Sequence, residues 1–198
     1  MTRFLSLGGV LASALLIVLG IGAIVVGASG RSEVRDNVQR ERITGTPDMT
    51  PSASAAAINA AGVKGVELPS CSVANQPVKT GSQSKCFADY IRVHALEATG
   101  GKTYAQMPRF MGKNGKPTED EKQAARDPKT GKPVDNPQRN IWVTATALST
   151  ALNTSFFAER VALFSIVMGI ALVLTGIGFL VLSLGLLPGR RARGGTNA

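Results

Sequence analysis

Long uncharged runs stand at either end of a polar middle, and this contrast predicts the architecture before any motif is considered. Phe4 to Ser29 holds 26 residues without a charge, and Val161 to Leu187 holds 27. About 20 apolar helical residues cross a ~30 Å hydrocarbon layer, so 4–29 and 161–187 are both expected to be transmembrane helices. Pro188-Gly189 and an arginine-bearing tail, 188–198, end the second run. Arg3 and the small residues Ala28-Ser29-Gly30 also give the first run the outline of a secretory leader. Signal h-regions are only about 7–15 residues long, which favours a retained anchor.

The middle, 30–160, falls into five parts. In 30–45, Val34 and Val38 stand four apart amid charges, as on a helical stem. The stretch 46–70 is rich in Pro, Ser, Ala and Gly and reads as a linker, with Met49, Ile58, Val63, Val66 and Leu68 as its larger apolar residues. In 71–111 a loop between Cys71 and Cys86 precedes an amphipathic helix. Its stripe is Phe87, Tyr90, Ile91, His94, Ala95 and Ala98, and Gly100-Gly101 is its stop. Pro and Gly punctuate 112–138, predicting an exposed loop with one helical turn at 118–125, opened by a Thr118/Glu121 capping box. In 139–160, Trp142, Ala145, Leu148, Leu152 and Phe156 recur at three or four residues, predicting a second helical stem. The expected fold class is therefore mainly α: two transmembrane helices with a small helical extracytoplasmic domain and long irregular loops.

Charge changes the picture less than the net +9 suggests. All 13 acids and 18 of the 22 basic residues lie in the middle, which leaves it at +5 (18 minus 13). Lys113, Lys116, Lys129 and Lys132 alternate with Gly, Pro and acids, a solvated loop and not a phosphate-tracking stripe, so no nucleic-acid partner is expected. Arg3, Arg190, Arg191 and Arg193 on the ends nearly balance Arg31, Arg35, Arg40, Arg42 and Arg160 on the middle. Two considerations favour cytoplasmic termini: the tail arginines have no acids beside them, and long polar segments are translocated largely regardless of charge. The cysteines are the third. Cys71 and Cys86 are separated by 14 residues and read as one disulfide, which needs an oxidising compartment; two free thiols are the other reading. The expected location is the plasma membrane, with 30–160 extracytoplasmic.

Chemistry is sparse. His94 is the only histidine, so zinc ligation, a two-histidine iron site and nucleophile catalysis all lack residues. Gly100-Gly101-Lys102-Thr103 lacks the first glycine of a phosphate loop, since Leu96 stands where it is required. Asn153-Thr154-Ser155 is a formal sequon on a predicted helix. No Asp, Glu, Lys, Arg or His lies within either span, which argues against a proton relay, and Ser6, Ser13, Ser165, Thr175 and Ser183 are too sparse for a pore. Small residues such as Gly8 with Ala12, Ala23 with Gly27, and Ala171 with Thr175 beside Gly176 and Gly178 predict helix association, with a partner or between the two spans themselves.

The stretch IRVHALEATGGKTYA, Ile91 to Ala105, resembles an uncharacterised family of actinobacterial two-span membrane proteins with a His-x-Leu-x-x-Thr-Gly-Gly-Lys-Thr-Tyr core, here His94, Leu96, Thr99, Gly100, Gly101, Lys102, Thr103 and Tyr104. Members often carry an automatic aromatic-ring-opening dioxygenase label, which a chain with one histidine does not support. The resemblance implies architecture and no mechanism. No catalytic, cofactor or metal residue is assigned. The candidate interaction residues are His94, Thr99, Gly100, Gly101, Lys102 and Tyr104. The expectation is a non-catalytic envelope protein, an accessory or stabilising subunit whose partners are the bilayer and another membrane protein or a second copy. No small-molecule substrate is identified. The rival is an extracytoplasmic enzyme or ligand-binding domain centred on His94 to Tyr104.

Overall fold

A computed structural model describes residues 2–185 and is mainly helical. Its elements are α1 (Thr2–Arg40), α2 (Pro51–Ala60), α3 (Gly81–Ala98), β1 (Phe110–Met111), β2 (Pro117–Thr118) and α4 (Pro137–Gly185). The last two residues of the expected second span and the basic tail 188–198, with Arg190, Arg191 and Arg193, lie outside the described residues, as does the Arg3 side chain. The chain forms two compact units: one holds residues up to Val34 and from Ala158 on, the other Arg35–Phe157.

In the first unit α1 and α4 run antiparallel, and both are long and apolar enough to cross a membrane. Their contact is a row of small residues spaced by seven: Ser13, Gly20 and Gly27 on α1 meet Ala162, Gly169, Gly176 and Ser183 on α4, all buried. A Cβ on Gly20 would stand 2.7 Å from the Gly169 carbonyl oxygen, one on Gly169 2.6 Å from that of Gly20, and one on Gly27 2.6 Å from that of Ala162. Glycine is therefore required where the two backbones touch. Seven-residue spacing is 3.5 residues per turn, which keeps a seam facing its partner through a left-handed supercoil. The expected spacing of four is not the one used. Gly8 and Gly178 have no atom within 4 Å of where a Cβ would be, and Ala12, Ala171 and Thr175 are exposed. Outside the seam Leu11, Leu15, Val18, Leu174 and Leu182 are exposed. Toward one end of the pair, Arg31 Nε donates to Glu159 Oε1 at 3.2 Å, holding a carboxylate that is almost buried.

The second unit is organised by α3. Its Thr80 N-cap accepts from the Gln83 N–H, and Gln83 Oε1 accepts from the Lys79 N–H, so the helix starts at Gly81, inside the disulfide loop, and not at Phe87. Cys86 consequently sits on the helix, bridged to Cys71. Met49, Val73, Cys86 and Tyr90 form the core, with Cys71 and Phe87 packed on it. The Tyr90 hydroxyl donates to the Cys71 carbonyl, and burial pushes its pKa up. Cys86, Tyr90, Val93 and Leu96 are the deeply buried row of α3. Of the expected stripe, Ala98 is exposed and Ile91 and His94 are only half-buried.

The expected linker contains α2. Thr50 accepts from the Ala53 N–H, Pro51 occupies the first turn, and the alanines favour helix, while Ser54 and Ile58 are buried. The expected loop 112–138 is a small β-lobe. Phe110 pairs with Thr118 and Met111 with Pro117, and isolated bridges join Gly112 to Ala124 and Arg126 to Pro133. The helical turn expected at 118–125 shrinks to a 3₁₀ turn at 121–123, capped by Asp120, because Thr118 is held in β2 opposite Phe110. α4 starts behind Asn136, whose Oδ1 accepts from the Gln138 N–H while its Nδ2 donates to the Pro108 carbonyl at 2.9 Å.

Candidate functional site

The segment His94 to Tyr104 is first a helix terminus. The Gly100 N–H donates to the Glu97 carbonyl and the Gly101 N–H to the Leu96 carbonyl at 2.7 Å, with φ of +61° and +79° at the two glycines. This left-handed pair satisfies the carbonyls that end a helix. Gly101 has a second constraint, since a Cβ there would stand 2.8 Å from Val63 Cγ1. The buried Thr99 hydroxyl donates to the Lys102 carbonyl at 2.7 Å and locks the turn. Thr103 and Gln106 then form a capping box around the 3₁₀ turn Tyr104–Gln106. Thr99, Gly100 and Gly101 thus act on the backbone.

The three side chains with chemistry are engaged separately. His94 Nε2 lies 3.2 Å from Asp48 Oδ2, tying α3 to the turn that precedes α2. The Thr46 hydroxyl, and to a smaller degree His94, hold the Asp48 carboxyl below its usual value. Tyr104 is half-exposed, with the Arg139 guanidinium 3.9 Å above its ring and Arg139 Nη1 donating to the Met107 carbonyl. Lys102 is exposed. His94 lines an open apolar hollow of about 600 Å³ with Ile91, Ala98, Ile141, Ala145 and Leu148, and neither Lys102 nor Tyr104 is in its wall.

Two further hollows border α3, of about 210 and 420 Å³, and Asp89 and Arg92 line both. The first also takes in Trp142, Thr146, Thr150 and Asn153 of α4. Asp89 and Arg92 stand off the hydrophobic stripe of α3, so periodicity alone gives them no role. A signal was present: Trp142, Thr146, Thr150 and Asn153 recur at three to four residues and therefore share one helix face. Among the described residues no group of three or more His, Cys, Asp or Glu is placed to hold a metal ion. Comparison with protein-family models, with curated proteins and with solved structures finds no match to this chain.

Proposed function

We propose that the chain is a non-catalytic integral membrane protein of the cell envelope, an accessory or stabilising subunit that binds another membrane protein through its outer helical segment. In this reading both termini are cytoplasmic and 30–160 is extracytoplasmic. The two apolar helices and the Cys71–Cys86 bridge, which needs an oxidising environment, support that topology. The likeness of the His94 to Tyr104 core to the two-span family belongs to the same proposal. A reporter fused after Ala198 should be active only as a cytoplasmic one, and a reporter inserted at Gly115 only as an exported one; the reverse pattern would overturn the topology.

The observation that carries the binding reading is the apolar hollow between α3 and α4. Ile141, Ala145 and Leu148 stand at i, i+4 and i+7 along one wall, and Ile141 and Leu148 are 44 % and 52 % exposed. A groove between two helices with anchors at that spacing suits an amphipathic helix, which the partner would supply. Purification in mild detergent from the native membrane, followed by the same purification of Ile141→Glu with Leu148→Glu, tests it. One partner should co-purify with the parent and be lost with the variant. A solitary monomer, or a partner retained by the variant, counts against the reading.

A further inference from the structure

The cleft at Asp89 and Arg92 is built differently from the apolar hollow. Lys85 Nζ lies 3.0 and 2.9 Å from the two carboxylate oxygens of Asp89, so both oxygens are engaged by one ammonium. Arg92 is exposed, its guanidinium stands 5.5 Å from the Trp142 ring centre, and among the described residues no carboxylate pairs with it. A cation–π contact of this length attracts the guanidinium to the indole without using its N–H donors. Its planar fork is consequently free to take a carboxylate through two parallel bonds.

The rest of the wall supplies neutral groups of both kinds. The Thr146 and Thr150 hydroxyls and the Asn153 amide line one face of α4, while the Ser149 hydroxyl donates to the Ala88 carbonyl. Apolar lining comes from the Trp142 ring and from Ala88, Ala95 and Ala145, so a flat ring face is the one apolar surface of size it offers a ligand. A volume of about 210 Å³ is below the ~300–1,000 Å³ of sites for drug-sized ligands and suits one small ring. The 420 Å³ hollow on the other side of Arg92, bordered by Glu67 and Ser70, gives such a ring room to continue as a chain. The surplus of five positive charges between residues 30 and 160, 18 basic against 13 acidic, attracts acids at longer range.

We propose that this cleft binds a carboxylate-bearing saccharide, with the carboxylate on Arg92 and the ring hydroxyls on Thr146, Thr150 and Asn153. This goes beyond the accessory-subunit reading: the cleft shares Ala95 and Ala145 with the apolar hollow, but its polar groups are its own. A dianionic phosphate fits less well, because Lys85 is committed to Asp89 and leaves one cation for two charges.

Trp142 is the only tryptophan of the chain, so its fluorescence reports on this cleft without interference. Full-length protein in detergent micelles is titrated with trigalacturonate, the neutral maltotriose and the non-sugar carboxylate succinate. The expected result is a saturable change in Trp142 emission with trigalacturonate, at least tenfold weaker responses to the other two, and a tenfold or greater loss of trigalacturonate affinity in Arg92→Lys. Asn153→Ala should weaken binding several-fold and Lys113→Ala should leave it unchanged. Circular dichroism and an intact Cys71–Cys86 mobility shift certify that each variant is folded. No saturable response to trigalacturonate, an equal response to maltotriose or succinate, or undiminished binding by folded Arg92→Lys would overturn the proposal.

Discussion

Where α1 meets α4 at Gly20, Gly27, Ala162 and Gly169 the backbones touch, whereas around Tyr90 the contacts run from side chain to side chain beside a disulfide. The first unit buries serine, glycine and alanine and exposes its leucines and valines; the second buries Tyr90, Met107, Val93 and Phe110. The difference follows from the solvent each unit is read to face. Lipid tails are as apolar as leucine, so helices there gain from close approach and not from hiding large side chains. In water the larger the apolar side chain removed, the greater the gain. The small second unit, with few such residues, adds a cross-link.

The largest expected effect falls on the second unit alone. Tyr90→Ala removes a fully buried ring and its hydrogen bond to Cys71, and large-to-small core changes of this kind cost about 3–5 kcal/mol. Urea unfolding followed by Trp142 emission should shift to much lower concentration. Cross-linking between cysteines placed at Ile24 and Ile166, which contact Gly169 and Gly27, should be unchanged. If that cross-linking fails as well, the two units do not have separate supports.

Removing the bridge sharpens the same contrast. Cys71→Ser with Cys86→Ser should cost the second unit about 3 kcal/mol, the chain-entropy value for a loop of ~15 residues. The readout is faster proteolysis between residues 46 and 80, again with the seam intact. A protease pattern identical to the parent's would show that the core of Met49, Val73 and Tyr90 suffices without its cross-link.

The seam has its own break. Gly20→Val and Gly169→Val each place a branched side chain against the facing backbone, and overpacking of this kind costs about 1–3 kcal/mol. The Ile24 to Ile166 cross-link should weaken while urea unfolding of the second unit stays put. Gly8→Val and Gly178→Val, with open space around them, are the controls and should change neither. Equal loss in the controls would mean that glycine content matters and the row of seven does not.

These contrasts also explain what could be read from the chain. The two long apolar helices were legible because 26 and 27 residues run without a charge. The seam was less so: intervals of four pick out Gly8 with Ala12, whereas the contact uses intervals of seven, visible only when Ser13, Gly20 and Gly27 are aligned with Ala162, Gly169, Gly176 and Ser183. α2 escaped because alanine and serine produce no apolar stripe although alanine strongly favours helix. The start of α3 was written in Thr80 and Gln83 and not in the hydrophobic pattern. The β-lobe was invisible because strands of two residues show no alternation and Gly112 finds Ala124 only in three dimensions. At the candidate segment Gly100-Gly101 was legible as a stop, but the partners of His94 and Tyr104, Asp48 and Arg139, are 46 and 35 residues away (94 minus 48, 139 minus 104).

The smallest expected effect lies in the lobe, where polar turns replace both seam and core. Asp127 Oδ1 accepts from the Thr130 and Lys129 N–H groups and from the Thr130 hydroxyl, and these bonds, led by that from the Thr130 backbone, hold its carboxyl below the ordinary value of 3.8. A pKa lowered by folding means that the contribution of the turn is complete above the unfolded value and is lost as pH falls through the folded one. Between pH 7 and 5 nothing should change. Below about pH 4, near the reference carboxylate value, the Lys129 and Thr130 amide resonances should move together, with a midpoint under 3.8. Asp127→Asn keeps an acceptor oxygen and should abolish the titration while leaving the turn, whereas Asp127→Ala should shift both resonances at every pH. The group is fully exposed, so neither variant should move urea unfolding of the Tyr90 core. A core that does respond to Asp127 would show that the lobe is coupled to α3 and that the second unit holds together as one cooperative body.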